Sequence, residues 1–276
     1  MKKVTLCFVA IASLIVTPAS AAPPAPPAPA PVTSASWSGL YVDAAIGEEW
    51  TRNIWTFNSP FLATSVFSAF TPFSLSTNSA VAGLHVGYQQ QFNWLVVGGE
   101  FGATMPLGSH TAESATAGAT NSAGVPPCGI FIPPTTSACQ ATIGSVKTAG
   151  GKLGYAVRDW LAYAVGGAAF NAGVTASIVI PGQIPPDHGL DATAHGYYIG
   201  GGVDYRLAKT SLADFIVGLE YRHVGLDAAQ VCSTLTNGPP LPCGVNHGIS
   251  LLQRTVSTQQ DLVWFKATVL FNPFGW

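Results

Sequence analysis

From Ser38 onward, apolar residues alternate with small or polar ones. Ser38, Leu40, Val42, Ala44 and Ile46 fall on one side, and Gly39, Tyr41, Asp43 and Ala45 on the other. The same beat returns in Ala82, Leu84, Val86 and Tyr88 against Gly83, His85, Gly87 and Gln89. It returns again in Leu95, Val97, Gly99, Phe101 and Ala103 against Val96, Gly98, Glu100, Gly102 and Thr104. A period of two marks a strand, because successive side chains point to opposite faces. Segments near 145–157, 160–170, 194–207, 215–225 and 260–272 behave alike. Eight strands result, each close to the roughly 9–11 residues a tilted strand needs to cross a hydrocarbon layer.

The connections alternate as well. Short links lie near Gln90–Asn93, Arg158–Asp159 and Ala208–Asp214, and long ones near Glu48–Thr77, Gly108–Gly144, Asn171–Ala192 and Asp227–Gln259. Short turns on one side and long loops on the other are the asymmetry of bacterial outer-membrane barrels. The predicted fold is therefore all-β: an eight-stranded antiparallel transmembrane β-barrel with short periplasmic turns and long extracellular loops. Trp160 to Ile180 carries no charge and is long enough for a transmembrane helix. Gly166, Gly167, Asn171, Gly173, Thr175 and Ser177 weaken that alternative, and only a barrel satisfies the backbone of the remaining segments.

Aromatic residues cluster beside the short links. Trp37, Trp94, Trp160 and Phe215 open ascending strands, and Tyr88, Tyr155 and Tyr205 stand near the ends of descending ones. All seven are predicted to form the periplasmic aromatic girdle, at the lipid–water boundary that amphipathic rings prefer.

If the apolar positions face lipid, the interior receives Asp43, His85, Glu100, Lys152, Asp204, Arg206, Glu220, Arg222 and Lys266. Eight of the chain's 11 Lys+Arg and 13 Asp+Glu residues would then share one narrow tube, with a histidine beside them. An eight-stranded barrel is just wide enough for side chains to fill, and a balanced, hydrogen-bonded set of charges is tolerated there where unpaired ones are not. Two readings follow: an ion-pair plug that closes the barrel, or a constricted polar channel for small solutes.

Composition agrees with lipid as part of the solvent. Only 9% of residues are charged and 48% are hydrophobic, against roughly a quarter charged in ordinary soluble domains. A net charge of −2 leaves no basic field for nucleic acid. Lys2 and Lys3, the uncharged run Val4 to Val16 and Ala19-Ser20-Ala21 read as a signal peptide cleaved after residue 21. Residues 22–36 form a Pro/Ala-rich periplasmic linker, stiff and unpaired because proline fixes φ and lacks an amide proton. The barrel is expected over 37–276, with no further domain after it.

Cys7 leaves with the signal, so four cysteines remain in an oxidising compartment, and four allow three pairings. The equal spacing of Cys128–Cys139 and of Cys232–Cys243, each pair in a Pro-rich loop, favours those two disulfides. The absence of a CxxC motif argues against a metal site.

On these strands the chain resembles the alphaproteobacterial outer-membrane immunogenic proteins, relatives of the OmpA-type eight-stranded barrels often grouped as porin-family proteins. The matching pieces are Trp37-Ser38-Gly39-Leu40-Tyr41-Val42, Gly83-Leu84-His85-Val86-Gly87-Tyr88 and Gly99-Glu100-Phe101. They continue in Lys152-Leu153-Gly154-Tyr155-Ala156, Trp160-Leu161-Ala162-Tyr163, Gly200-Gly201-Gly202-Val203-Asp204-Tyr205 and Gly218-Leu219-Glu220-Tyr221. The resemblance covers nearly all strands but not the long loops, and its specificity lies in the order of the motifs. It implies a surface antigen that contributes to envelope integrity, in contact with outer-membrane lipid and lipopolysaccharide. It also implies recognition of the C-terminal strand by the barrel-assembly machinery. Trp276 fits that last role, although Pro273 and Gly275 interrupt the alternation before it.

No cofactor is expected, and no catalysis. Tyr221-Arg222-His223 resembles the lipid A deacylase pattern, but Gly225 stands where that family carries its nucleophilic serine, and no G-x-S-x-G elbow replaces it. His195 and His223 are read as interfacial polar residues. The runs Gly98-Gly99, Gly150-Gly151 and Gly200-Gly201-Gly202 lie inside strands, where small residues relieve crowding, rather than before helices. A loop-mediated adhesin or receptor is the remaining alternative. Trp50, Trp55, Phe57, Phe61, Phe67, Phe70 and Phe73 give the first loop an aromatic surface of the kind that marks contact sites.

Overall fold

A computed structural model describes residues 36–57, 73–108, 111–113, 138–179, 192–234 and 251–271. The signal segment, the linker up to residue 35, Cys128, Cys243, Phe61, Phe67, Phe70 and Trp276 lie outside the described residues. Both expected disulfides therefore lie outside them too, although Cys139 and Cys232 fall within strands.

Ten strands follow one another: β1 (Gly39–Phe57), β2 (Phe73–Phe92), β3 (Leu95–Pro106), β4 (Thr111–Glu113), β5 (Ala138–Ile143), β6 (Val146–Val157), β7 (Trp160–Val179), β8 (Ala192–Lys209), β9 (Ala213–Thr234) and β10 (Leu251–Phe271). Eight of them close a ring in the order β1-β2-β3-β6-β7-β8-β9-β10, all neighbours antiparallel, with β10 returning to β1 through pairs such as Leu40↔Phe271. The fold is an eight-stranded antiparallel transmembrane β-barrel. Closure leaves no unpaired edge, the condition for backbone amides to sit in hydrocarbon. Residues 160–179 form β7 of this ring rather than a helix.

The short turns explain themselves. Phe92 pairs with Leu95 across Asn93-Trp94, and Val157 with Trp160 across Arg158-Asp159. Asn93 and Arg158 take φ values of 60° and 54°, the left-handed region that a two-residue hairpin turn demands. At the third turn the Thr210 hydroxyl accepts from the amide of Ala213 at 3.1 Å and donates to the Ala213 carbonyl at 2.7 Å, folding the chain back on its own side chain. Trp94, expected to open a strand, sits in its turn instead.

At the other end the strands outrun expectation. The segment 48–77, expected to be loop, is strand up to Phe57 and again from Phe73, and β9 and β10 extend to Thr234 and back to Leu251. Alternation persists there, but polar residues enter both faces: Glu48 and Arg52 flank Trp50 outward, while Glu49, Thr51 and Asn53 are buried inside beside Trp55. An apolar–polar beat cannot reveal such a strand. Within the expected loop 108–144, β4 and β5 pair with each other, and β5 extends the β6 edge along β7. β5 and β6 are one strand broken at Gly144-Ser145, where the Gly144 amide donates to the Gly173 carbonyl at 2.8 Å.

Candidate functional site

The outer surface is an apolar band. Leu40, Ile46, Leu84, Phe101, Leu153, Ile199, Leu219 and Phe265 are each about half exposed or more, as lipid-facing side chains of an isolated barrel must be. Near the short turns Tyr88, Trp94, Tyr155, Trp160, Tyr205 and Phe215 are exposed. Trp94 packs on Tyr155 at 5.5 Å between ring centroids, and Trp160 on Tyr205 at 4.6 Å.

Trp37 departs from its expected place in that girdle, for it is fully buried. Its amide donates to Gln91 Oε1 at 2.7 Å, its carbonyl accepts from Gln89 Nε2 at 2.8 Å, and its ring lies 4.4 Å from the Arg206 guanidinium. Arg206 also donates to the Ser36 carbonyl at 2.9 Å and pairs with Asp214 at 3.0 Å. The segment entering β1 thus folds into the short-turn mouth of the barrel. With its backbone held by two glutamines, its indole N–H donating to the Arg158 carbonyl at 3.4 Å and a cation over its ring, the side chain gains more from burial than from the interface.

The nine predicted interior residues are all buried. Eight join one network, and Arg206 belongs to the mouth instead. Lys266 Nζ lies 3.1 Å from Glu220 Oε2, 3.4 Å from Asp204 Oδ1 and 4.0 Å from Asp43 Oδ2. Lys152 Nζ reaches the other oxygen of Asp204 at 3.4 Å. Arg222 pairs with Glu100 at 2.8 Å and with Glu220. His85 Nδ1 meets Asp43 Oδ1 at 2.7 Å. The balance differs from the one expected: with Arg206 elsewhere, four carboxylates (Asp43, Glu100, Asp204 and Glu220) share the interior with Lys152, Arg222 and Lys266, and His85 stands beside Asp43.

Aromatic residues complete this interior, and sequence reasoning missed them. Tyr163 donates to Glu220 at 2.6 Å and Tyr198 to Glu100 at 3.1 Å, and Tyr41 lies within 3.3 Å of Glu100. Lys152 stands 4.0 Å above the Tyr163 ring, and Trp264 meets the His85 ring edge-on at 5.4 Å. Their only signal was parity, since Tyr41 shares a side with Asp43 and Trp264 with Lys266. With them, every strand of the ring contributes to the network: Asp43, His85, Glu100, Lys152, Tyr163, Asp204, Glu220 and Lys266 come from eight different strands.

Glycines make room for these rings. A Cβ on Gly87 would lie 2.5 Å from the Tyr41 ring, and one on Gly202 2.5 Å from the Tyr163 hydroxyl. Gly83 faces Trp264 and Gly102 faces His85 in the same way. Small residues opposite large ones let a narrow barrel fill without forcing its wall apart.

No family model and no curated protein matches the chain. Among solved structures it is similar to Neisserial surface protein A, at 14% identity and a TM-score of 0.33, over 85% of this chain and 98% of that one. It is similar to Ail, the attachment invasion locus protein of Yersinia pestis, at 11% identity and 0.31, over 82% and 98%. It is similar to the outer membrane protease OmpT of Escherichia coli, at 8% identity and 0.46, over 87% and 99%. The likeness is one of fold alone.

On the outer wall, His223 and its register partner Asp261 lie 2.9 Å apart, and Tyr221 donates to the same carboxylate at 2.6 Å. The acid partner was not foreseen from the sequence. A His–acid pair is half of a nucleophilic site, but position 225 is glycine, and a Cβ there would lie 2.8 Å from the Tyr197 ring. His195 is exposed on β8. In the expected aromatic first loop, Trp55 is fully buried inside the barrel, while Trp50 is exposed on the outer wall.

Proposed function

We propose that this protein is a structural barrel of the Gram-negative outer membrane, closed by its interior network, with its long loops on the cell surface. The observation that carries the reading is burial. The eight network residues come from all round the ring, and none exposes more than 8% of its surface to water. A file of water through the lumen would have to wet them. Trp37 and Arg206 add a second closure at the short-turn mouth.

In this reading the N-terminal 21 residues are removed on export, the Pro/Ala linker and short turns lie in the periplasm, and the loops meet the environment. The resemblance of the strand motifs to outer-membrane immunogenic proteins supports a role as surface antigen and envelope stabiliser. Engagement of the C-terminal strand by the barrel-assembly machinery belongs to the same proposal. No catalytic role is assigned, because Gly225 leaves the His223–Asp261 pair without a serine at the position the deacylase pattern requires.

Liposome swelling tests the closure. Vesicles carrying the folded protein should take up small sugars and amino acids no faster than protein-free vesicles. Faster uptake that slows as solute size grows would make the protein a narrow porin instead. Loss of host-cell attachment on deleting 55–73, with the barrel still folded, would point to an adhesin.

A further inference from the structure

Upward along β1 the outward positions read Leu40, Val42, Ala44, Ile46, then Glu48, Trp50, Arg52. The hydrocarbon layer therefore ends near residue 48. Just above that line Trp50, Arg52, Ser76, Asn78 and Asp261 line a lateral groove of about 370 Å³, within the roughly 300–1,000 Å³ typical of small-ligand sites. The register sets these residues side by side, since Trp50 pairs with Asn78 on β2 and with Asp261 on β10.

The carboxylates around the groove are already engaged. Asp261 accepts from Tyr221 at 2.6 Å and lies 2.9 Å from His223, and Glu48 accepts from the Asn78 amide at 3.1 Å. Arg52 is exposed and has no ion-pair partner among the described residues. An uncommitted guanidinium fork suits a phosphate, which it can hold with two parallel hydrogen bonds. Beside it an indole with 45% of its surface exposed offers an electron-rich face to the polarised C–H edge of a sugar ring. Ser76 and Asn78 supply hydroxyl and amide partners. The groove opens sideways at headgroup height, so the molecules that pass it most often are the membrane's own.

We propose that this groove binds the phosphorylated saccharide headgroup of an outer-leaflet glycolipid, with Arg52 on the phosphate and Trp50 under the sugar. The assignment rests on the outer-membrane reading above.

The test places the full chain in nanodiscs and measures co-purifying lipid by native mass spectrometry. One set contains lipopolysaccharide diluted in phosphatidylcholine, and a second contains phosphatidylglycerol at matched charge. A third sample offers soluble glucosamine 1-phosphate to protein in detergent. Wild type should retain lipopolysaccharide preferentially, and Arg52→Gln and Trp50→Ala should each weaken retention about tenfold, as loss of a charge-assisted contact does. Equal retention of phosphatidylglycerol would overturn the saccharide assignment. Retention unchanged in both variants would overturn the site, and binding of the soluble sugar alone would overturn its membrane origin. Arg52 is solvent-exposed, so its variant reports even where Trp50→Ala folds poorly. A heat-dependent gel shift on every sample separates failure of the groove from failure of the barrel.

Discussion

Glu220 shows what single residues do in this interior. Its carboxylate takes Lys266, Arg222 and the Tyr163 hydroxyl at once. Burying charges is costly, and it is tolerated here because both carboxylate oxygens find donors. Glu220→Ala would leave two buried cations short of a partner and should cost ~3–5 kcal/mol in unfolding free energy, read from urea titrations of the refolded barrel. A loss within ordinary surface-mutation scatter would mean that water already solvates the network. The glycines make the complementary case. Gly87→Ala drives a methyl group into the Tyr41 ring and should cost ~1–3 kcal/mol by overpacking, measured the same way; an unchanged midpoint would indicate free space beside Tyr41.

At the scale of elements, burial decides where Trp37 belongs. Trp37→Ala removes a buried indole from the short-turn mouth and should destabilise the barrel by ~3 kcal/mol, whereas a girdle residue on the lipid face would cost far less. The extended strands carry their own test. Residues Arg52 to Ile54 have register partners on both sides, in β2 and β10, so each amide faces a neighbouring strand and should exchange with deuterium at strand-like rates; rapid exchange would restore the loop assignment. What the sequence conveyed about elements follows from physics. Where lipid wets one face and charge fills the other, alternation is sharp, and the membrane portions of all eight strands were legible, as were the nine charged and histidine interior positions. Above the membrane polar residues enter both faces, and the beat fades although the ladder continues. Tyrosine and tryptophan suit a lipid interface and a polar interior equally well, so parity was the one hint at Tyr41 and Trp264, and the closed ring placed them together with Tyr163, Tyr198 and Trp37.

The whole molecule joins two demands that pull in opposite directions. Its wall must be apolar outward to sit in lipid, and the eight-stranded circumference forces whatever lies inside into mutual contact. The chain meets the second demand with a network that draws one side chain or more from each of the eight ring strands, so that the polar core closes only when the ring does. Such coupling favours an all-or-none barrel whose gel mobility shifts on boiling. The most direct measurement is single-channel conductance of demonstrably folded protein in a planar bilayer. A closed interior predicts silence from the wild type, with conductance steps appearing when Glu220 and Lys266 are both replaced by alanine. Reproducible steps from the wild type, with an ion selectivity that reverses in Glu100→Lys, would contradict the closed barrel and make the network the lining of a pore.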